Sequence, residues 1–227
     1  MPIRAVLFDC DGVLVDSEPA TFALLHEEFT RHGLDMSMEQ MEHAFLGGTI
    51  EGCAEKARSL GADLPENWPD LYYETLYERL RQGTPLMPGI AALLDRLDAA
   101  GISYAVGSNG RLAKMEATLG QHPQVQAKLA GRLFSGQESV GAPKPAPDLY
   151  LHCANVLSVD AQDCVVIEDS ATGAQAARAA GMRCLGYAPH GPTQGLIDAG
   201  AEIFSDMADV PALIGLGPNA NPPAPSR

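Results

Sequence analysis

Two carboxylates follow the first apolar run of the chain, in the motif Asp9-Cys10-Asp11-Gly12. The run Ala5–Phe8 has the length and composition of a short buried strand, and Gly12 permits a tight reversal directly after Asp11. Loops that follow the strands of a parallel sheet are where α/β proteins usually do chemistry. Acidic pairs in such positions also serve as turn formers or helix caps, so this segment alone does not identify a site.

Three further polar segments occupy similar places along the chain. They are Ser108-Asn109 after a second strand-like run, Lys144 between two prolines, and Glu168-Asp169 after another apolar run. The carboxyl ends of parallel strands meet at one edge of a doubly wound sheet, so these side chains are predicted to converge. Each segment alone is equally explained as a turn, a helix cap or a solvated loop. The occurrence of all four in this order favours a shared site.

The predicted site has the residue types needed to bind phosphate with a metal ion. Three carboxylates, on Asp9, Glu168 and Asp169, would repel one another unless a hard cation held them, and Mg²⁺ prefers oxygen ligands. Ser108 and the amides after it, where a strand enters a helix, can hold phosphate oxygens. Lys144 supplies a fixed cation beside them. We therefore predict Mg²⁺ as the cofactor.

Asp9 and Asp11 are the candidates for covalent chemistry at this site. Asp9 would attack phosphorus as a carboxylate nucleophile. Asp11 would protonate the leaving alkoxide and later activate the water that hydrolyses the aspartyl phosphate. The six histidines show no His-Glu-x-x-His spacing, so no zinc site is predicted.

The composition excludes several classes of partner. Of 227 residues, 29 are acidic and 15 basic, and the formal charge of −14 repels nucleic acid and anionic membranes. No apolar run reaches the roughly 18 residues that a membrane helix needs. We expect a small phosphorylated metabolite as the partner, and neither nucleic acid nor a membrane; the sequence does not predict an oligomeric state. Five cysteines without Cys-x-x-Cys spacing, and no signal peptide, favour a cytoplasmic location.

Strand-like and helical segments alternate over most of the chain. This alternation predicts an α/β fold with a Rossmann-like, doubly wound parallel sheet. Two helices are clear examples: 88–100 carries leucines on one face, and 171–180 is rich in alanine, which allows close packing. The strand-like runs are Ala5–Phe8, 103–107, 164–167, 183–187 and 201–204.

Between residues 18 and 83 the pattern changes to four helical stretches without a strand. We predict that 18–83 is an inserted all-helical cap, hinged as a mobile lid, and that 1–17 and 84–215 form the core. The tail 216–227 is rich in proline and is predicted to be flexible. The cap positions with helical spacing, most of them predicted to be core, are Phe22, Leu25, Phe29, Leu71, Leu76 and Leu80.

This set of motifs resembles that of the haloacid dehalogenase-like hydrolase superfamily, in the subgroup with a helical cap between the first two motifs. The resemblance spans roughly residues 3 to 210. The family pattern is Asp-x-Asp-Gly, a Ser or Thr ending a strand, a Lys, and a Glu-Asp or Asp-Asp pair. The resemblance implies an Asp9 nucleophile, an Asp11 acid/base, and Ser108, Asn109 and Lys144 on the transferred phosphoryl group. It also implies Mg²⁺ on Asp9, the Asp11 carbonyl and Asp169, with Glu168 bound directly or through water.

The helical-cap subgroup includes sugar-phosphate and phosphoglycolate phosphatases, β-phosphoglucomutases and metal-independent dehalogenases. Asp11 and the pair Glu168-Asp169 speak against a dehalogenase, which needs neither a proton for an alkoxide nor Mg²⁺. Against the mutase, Thr21 stands where a His is expected, and Glu51 stands where the phosphate-binding Arg of the cap is expected. The resemblance therefore favours a hydrolase.

The sequence predicts a Mg²⁺-dependent phosphatase that hydrolyses a small sugar or sugar-acid phosphomonoester through an aspartyl-phosphate intermediate. Two alternatives stay open: a β-phosphoglucomutase-type mutase, and a non-catalytic phosphate-binding or regulatory protein that keeps the fold. The stretch 106–110 with Lys114 is similar to that of phosphatases acting on 6-phosphogluconate. Gly47, Gly48 and Thr49 in the cap are the candidates for substrate specificity.

Overall fold

The computed structural model describes residues 2–45, 49–191 and 193–217. The predicted specificity residues Gly47 and Gly48 lie outside these ranges, as does the predicted tail from residue 218 onward. Among the described residues, no helix combines the length and the apolar character that crossing a bilayer requires.

The chain folds into two compact units. We call Met1–Asp16 together with Pro85–Arg227 the core unit, and Ser17–Thr84 the helical unit. The helical unit contains α1 Glu18–Arg31, α2 Met38–Phe45, α3 Ile50–Ser59 and α4 Trp68–Gln82. The helices of the core unit are α5 Ile90–Ala100, α6 Leu112–Leu119, α7 Pro123–Leu129, α8 Asp148–Val156, α9 Ala171–Ala179, α10 Gln194–Asp198 and α11 Val210–Leu213.

A six-stranded sheet with strand order β3-β2-β1-β4-β5-β6 forms the centre of the core unit. Every neighbouring pair is parallel, which confirms the predicted α/β, doubly wound architecture. β1 lies in the middle, with β2 on one side and β4 on the other. The strands are β1 Ala5–Phe8, β2 Ser103–Ser108, β3 Leu133–Ser135, β4 Cys164–Glu168, β5 Arg183–Tyr187 and β6 Glu202–Phe204.

The side chains of β1 divide between two hydrophobic layers. Val6 and Phe8 pack in the layer that includes the leucines of α5, whereas Ala5 and Leu7 pack in the layer that includes α8 and the alanines of α9. All four are fully buried. Successive side chains of a strand point to opposite faces, and a parallel sheet is covered by helices on both. The apolar run that predicted β1 is therefore continuous because both of its faces are core.

Strand β3 is the element that the sequence pattern does not predict. It has three residues at the edge of the sheet, and only Ser135 among them is buried. Its register pairs Ser135 with Ser108 at the end of β2. A strand this short shows no alternation of apolar and polar residues, so its pairing with β2 is visible only in three dimensions.

An aromatic cluster forms much of the core of the helical unit. The ring of Phe29 lies 5.0 Å from that of Phe45 and 5.3 Å from that of Trp68, whose ring lies 4.9 Å from that of Tyr72. The indole Nε1 of Trp68 donates to Oε2 of Glu28 at 3.1 Å. Aromatic pairs at such separations add about 0.5–1.5 kcal/mol beyond the area that they bury.

One of the cap residues with helical spacing, Leu71, is not core. The buried face of α4 consists of Trp68, Tyr72, Leu76 and Leu80, which follow one another at intervals of four residues. Leu71 lies off this row and is 47% exposed. The sequence spacing alone did not separate the two faces because Leu71 is one residue away from the buried row.

We expect Leu76→Ala to destabilise the helical unit by about 2–5 kcal/mol, because it removes a buried side chain and leaves a cavity. Leu71→Ala on the same helix is the matched control and should change the free energy of unfolding by less than about 0.5 kcal/mol. Trp68 is the single tryptophan of the chain and lies in this unit, so its fluorescence in a urea titration reports the change. Equal midpoints for the two variants would contradict the assigned faces.

Candidate active site

The strands β1, β2 and β4 bring most of the predicted site residues to one edge of the sheet. Asp9 directly follows β1, and its backbone N–H donates to the carbonyl of Ile167 on β4 at 3.0 Å. Ser108 and Glu168 are the last residues of β2 and β4. Because all three strands are parallel, these residues lie at the same carboxyl edge, as the sequence predicted.

The ammonium of Lys144 joins the β1 and β4 ends of the site. Its Nζ lies 2.5 Å from Oδ1 of Asp9 and 2.5 Å from Oε1 of Glu168. The Lys144 side chain is only 3% exposed, and the Glu168 side chain is fully buried. Burial alone would lower the pKa of Lys144, but the charges of Asp9 and Glu168 outweigh it and raise that pKa. The three groups therefore form a buried cluster of one ammonium and two carboxyl groups.

The loop that carries Lys144 is attached to the end of β2 by Asn109. The side chain of Asn109 accepts from the backbone N–H of Lys144 at 2.8 Å and donates to the carbonyl of Lys144 at 3.2 Å. The family resemblance implies that Asn109 binds the phosphoryl group. In the structure its amide contacts the Lys144 backbone, so it helps to set the position of the lysine.

Two further side chains hold Glu168, and neither contact was predicted from the sequence. The hydroxyl of Tyr150 on α8 donates to Oε1 of Glu168 at 2.7 Å. Ser170 donates to Oε2 of Glu168 twice, from its hydroxyl at 2.8 Å and from its backbone N–H at 3.1 Å. Ser170 also caps α9 by accepting from the N–H of Gly173. A serine directly after Glu168-Asp169 is a sequence signal for a helix N-cap. Nothing in the sequence near Tyr150 indicates its contact with Glu168.

Three carboxylates of the site have an electrostatic environment that fits a hard cation. Asp9, Glu168 and Asp169 each present an oxygen within 4.8 Å of the others. Burial raises the pKa of Asp9 despite the opposing charge of Lys144. Burial and the charge of Glu168 raise the pKa of Asp169 to about 7. Burial would also raise the pKa of Glu168, but Lys144 and its hydrogen bonds lower it. One lysine does not balance three carboxylates, and their oxygens are the ligand type that Mg²⁺ prefers.

Asp11 lies in a more open part of the site than Asp9. Its side chain is 31% exposed, and its Oδ1 lies 2.9 Å from Nζ of Lys114 on α6. Burial would lower the pKa of Lys114, but the Asp11 carboxylate outweighs it and raises that pKa. In the sequence, Lys114 stands out only through the family likeness. The structure shows that Lys114 is the ionic partner of Asp11.

The segment after β2 already uses several of its polar groups. Ser108 is buried, and its hydroxyl oxygen accepts from the N–H of Gly110 at 3.0 Å. The first N–H of α6, on Leu112, donates to Oε2 of Glu138 at 2.6 Å. Two of the amides that were expected to hold phosphate oxygens are thus bonded within the protein, and a ligand would have to compete for them.

In the helical unit, three residues singled out from the sequence have local partners or lie on the surface. Thr49 accepts from the N–H of Gly52 at 3.1 Å and is the N-cap of α3. Glu51 lies in the exposed first turn of that helix. The hydroxyl of Thr21 donates to the carbonyl of Ser17 at 2.9 Å. Thr49 is the one predicted specificity residue within the described part of the chain.

Gly12 allows the loop after β1 to approach Asp169 closely. Its φ of +75° lies in the left-handed region, and a Cβ built on it would lie 1.9 Å from Oδ2 of Asp169. Any side chain at this position would therefore displace the Asp169 carboxylate. Gly181 has a similar φ of +72°, but a Cβ there would have no neighbour within 4 Å.

These two glycines give a matched pair of variants. Gly12→Ala and Gly181→Ala should each lose roughly 1–2 kcal/mol of folding free energy, because alanine is strained in the left-handed region. Only Gly12→Ala should also weaken Mg²⁺ binding, since it moves the carboxylate of Asp169. Calorimetric titration with Mg²⁺ at a temperature where both variants are folded measures this difference. Equal Mg²⁺ affinity in the two variants would contradict a role for Asp169 in cation binding.

Comparison with known proteins agrees with this arrangement. A family model described as haloacid dehalogenase-like hydrolase matches residues 3–181. The 6-phosphogluconate phosphatase of Escherichia coli (strain K12) is 27% identical over 93% of this chain and 94% of that protein. Protein SUPPRESSOR OF QUENCHING 1, chloroplastic, of Arabidopsis thaliana is 32% identical over 90% of this chain, which spans only 20% of that longer protein.

A solved structure extends the likeness to three dimensions. The HAD family hydrolase from Deinococcus radiodurans R1, crystallised with bound phosphate and sodium, superimposes with a TM-score of 0.80 at 30% identity. The match covers 96% of this chain and 99% of that one. The matched family model includes the ends of β1, β2 and β4 and the Lys144 loop. The chain therefore belongs to the haloacid dehalogenase-like hydrolase family.

Proposed function

We propose that this protein is a Mg²⁺-dependent phosphatase that hydrolyses a small sugar or sugar-acid phosphomonoester through an aspartyl-phosphate intermediate. The observation that carries the proposal is the contact of Lys144 with Asp9, in a buried group of carboxylates at the carboxyl edge of the sheet. Family membership supports the reaction class. The names of the related 6-phosphogluconate phosphatase and of the phosphate-bound hydrolase support a phosphorylated substrate.

In the first step, a carboxylate oxygen of Asp9 attacks phosphorus, and the bond from phosphorus to the ester oxygen breaks. Asp11 donates its proton to the departing oxygen, which leaves as an alcohol. Lys144 offsets negative charge on the transferring phosphoryl group because its ammonium is already fixed beside Asp9. The products of this step are the aspartyl phosphate on Asp9 and the free alcohol.

In the second step, Asp11 acts as the base. Its carboxylate accepts a proton from water, whose oxygen attacks phosphorus while the acyl-phosphate bond to Asp9 breaks. Inorganic phosphate leaves, and the Asp9 carboxylate is restored. Lys114 is the neighbour of Asp11 on the core unit, with its Nζ 2.9 Å from Oδ1 of Asp11.

Mg²⁺ would be held by Asp9, Asp169 and the backbone carbonyl of Asp11, with Glu168 in the same group. When bound, it supplies positive charge that offsets the carboxylates and the phosphate oxygens of the substrate. The chain has an overall charge of −14, so an anionic substrate needs such a local excess of positive charge.

A hydrolase is favoured over a sugar-phosphate mutase by two residues of the helical unit. A mutase must retain its phosphorylated intermediate, and the resemblance predicts a His and an Arg in its cap for this purpose. Thr21 at the first position is bonded to the backbone of its own helix. Glu51 at the second is exposed and acidic, and therefore repels a phosphate instead of binding it.

The proposal predicts release of inorganic phosphate from a panel of small sugar and sugar-acid phosphates. Asp9→Asn should abolish release, because the amide is not a nucleophile. Asp11→Asn should lower the rate by roughly 10² to 10⁴, the usual contribution of general acid/base catalysis. Asp95→Asn, on a carboxylate that is 72% exposed on α5, is the matched control and should retain full activity.

Further assays test the metal requirement and distinguish the phosphatase from the two alternatives. A chelator should stop phosphate release by the unmodified protein, and added Mg²⁺ should restore it. Isomerisation of a sugar phosphate without net phosphate release would point to the mutase instead. Phosphate binding without turnover of any panel member would point to the non-catalytic alternative. Full activity of Asp9→Asn would refute the aspartyl-phosphate route.

A further inference from the structure

Tyr150 is a buried aromatic residue with two contacts to the proposed site. Its hydroxyl donates to Oε1 of Glu168 at 2.7 Å, and Nζ of Lys144 lies 4.8 Å from the centre of its ring. The side chain is fully buried. Lys144 and Tyr150 belong to one segment, the loop and first turn of α8, whereas Glu168 comes from β4. Tyr150 therefore links α8 to Glu168 at the end of β4 through its hydroxyl, and its ring lies beside the ammonium of Lys144.

The carboxylate of Glu168 has no acceptor capacity to spare. A carboxylate offers about four lone-pair directions on its two oxygens. Oε1 accepts from Lys144 and Tyr150, and Oε2 accepts from the N–H and the hydroxyl of Ser170. With these donors in place, Glu168 is fixed in orientation.

The backbone around this network has no room for extra side-chain atoms. A Cβ on Gly173 would lie 1.7 Å from Oε1 of Glu168. A Cβ on Gly107, in β2, would lie 3.3 Å from Cε1 of Tyr150, so the ring packs directly on the strand. The positions of Glu168 and Tyr150 are thus set by close packing as well as by hydrogen bonds.

We propose that Tyr150 is a positioning residue: its hydroxyl, together with Ser170, holds Glu168 in the orientation from which it fixes Lys144 beside Asp9. The inference rests on the proposed function for its catalytic consequence. The physical reason is that a buried carboxylate with a missing donor reorients, and the ammonium that it binds moves with it.

The test replaces one hydroxyl and keeps the ring. Tyr150→Phe removes the bond to Glu168 and leaves the aromatic face beneath Lys144. Tyr104→Phe is the matched control, because Tyr104 is also buried in the core unit and its hydroxyl also donates to a carboxylate at 2.7 Å. That carboxylate belongs to Asp98, which pairs with Lys128 and is not one of the site residues.

We expect kcat/KM for phosphate release to fall about tenfold in Tyr150→Phe, because the variant lacks a hydrogen bond to a charged carboxylate that positions Lys144. Tyr104→Phe should match the unmodified protein. Both variants should be compared at a temperature where thermal unfolding shows them to be fully folded. Equal kcat/KM in all three proteins would overturn the proposal.

A second measurement does not depend on catalysis. The chain has four lysines, and the rate of reductive methylation can be followed for each by mass spectrometry. Lys144 should be protected in the unmodified protein, because its side chain is 3% exposed and its amine contacts two carboxyl groups. Its rate relative to that of Lys56, in the helical unit, should rise severalfold in Tyr150→Phe and stay unchanged in Tyr104→Phe.

The two measurements separate the possible failures. If no sugar phosphate or sugar-acid phosphate of the panel releases phosphate, the proposed function fails. The methylation rate of Lys144 then still decides whether Tyr150 positions Lys144. If Tyr150→Phe raises the methylation of Lys56, Lys114, Lys128 and Lys144 alike, the effect is general loosening and the proposal is wrong. An unchanged Lys144 rate would also overturn it.

Discussion

The buried contact of the Lys144 ammonium with Asp9 and Glu168 is the interaction on which the rest of the site depends. Removing an ion from water costs several kcal/mol, and a buried pair recovers this cost only with good geometry and additional hydrogen bonds. The structure supplies both. Asn109 fixes the backbone of Lys144, and Ser170 and Tyr150 fix Glu168. Many of the polar groups around the cluster are therefore explained by the need to keep one charge in place.

Residues at the ends of β1, β2 and β4 could be identified from the sequence because two simple rules apply to them. Apolar runs mark buried parallel strands, and the polar residues that follow such runs meet at one edge. Lys144 lies in a loop without a strand of its own, so its place in the site was inferred from the order of the four polar segments and from the family resemblance. In the structure, two hydrogen bonds from the Asn109 side chain to the Lys144 backbone hold the loop in that place.

The parts that sequence reasoning missed depend on contacts between distant segments. Tyr150 has the pattern of an ordinary core residue of α8, and nothing near it indicates that its hydroxyl meets Glu168. Strand β3 is too short to show a period and is recognisable only by its pairing with β2. Leu71 differs from its buried neighbours only by its place around the α4 axis, which depends on where the other helices lie.

The packing of β1 between two hydrophobic layers limits which substitutions this strand can accept. Its four side chains are divided between the two hydrophobic layers, and the Asp9 backbone is bonded to β4 directly after it. A substitution that moves β1 therefore also moves the nucleophile candidate, so packing and chemistry are constrained together at this strand. Surface loops lack this double constraint and tolerate variation. Substitutions in surface loops can therefore alter what the protein binds without moving β1 or the carboxylates that follow it.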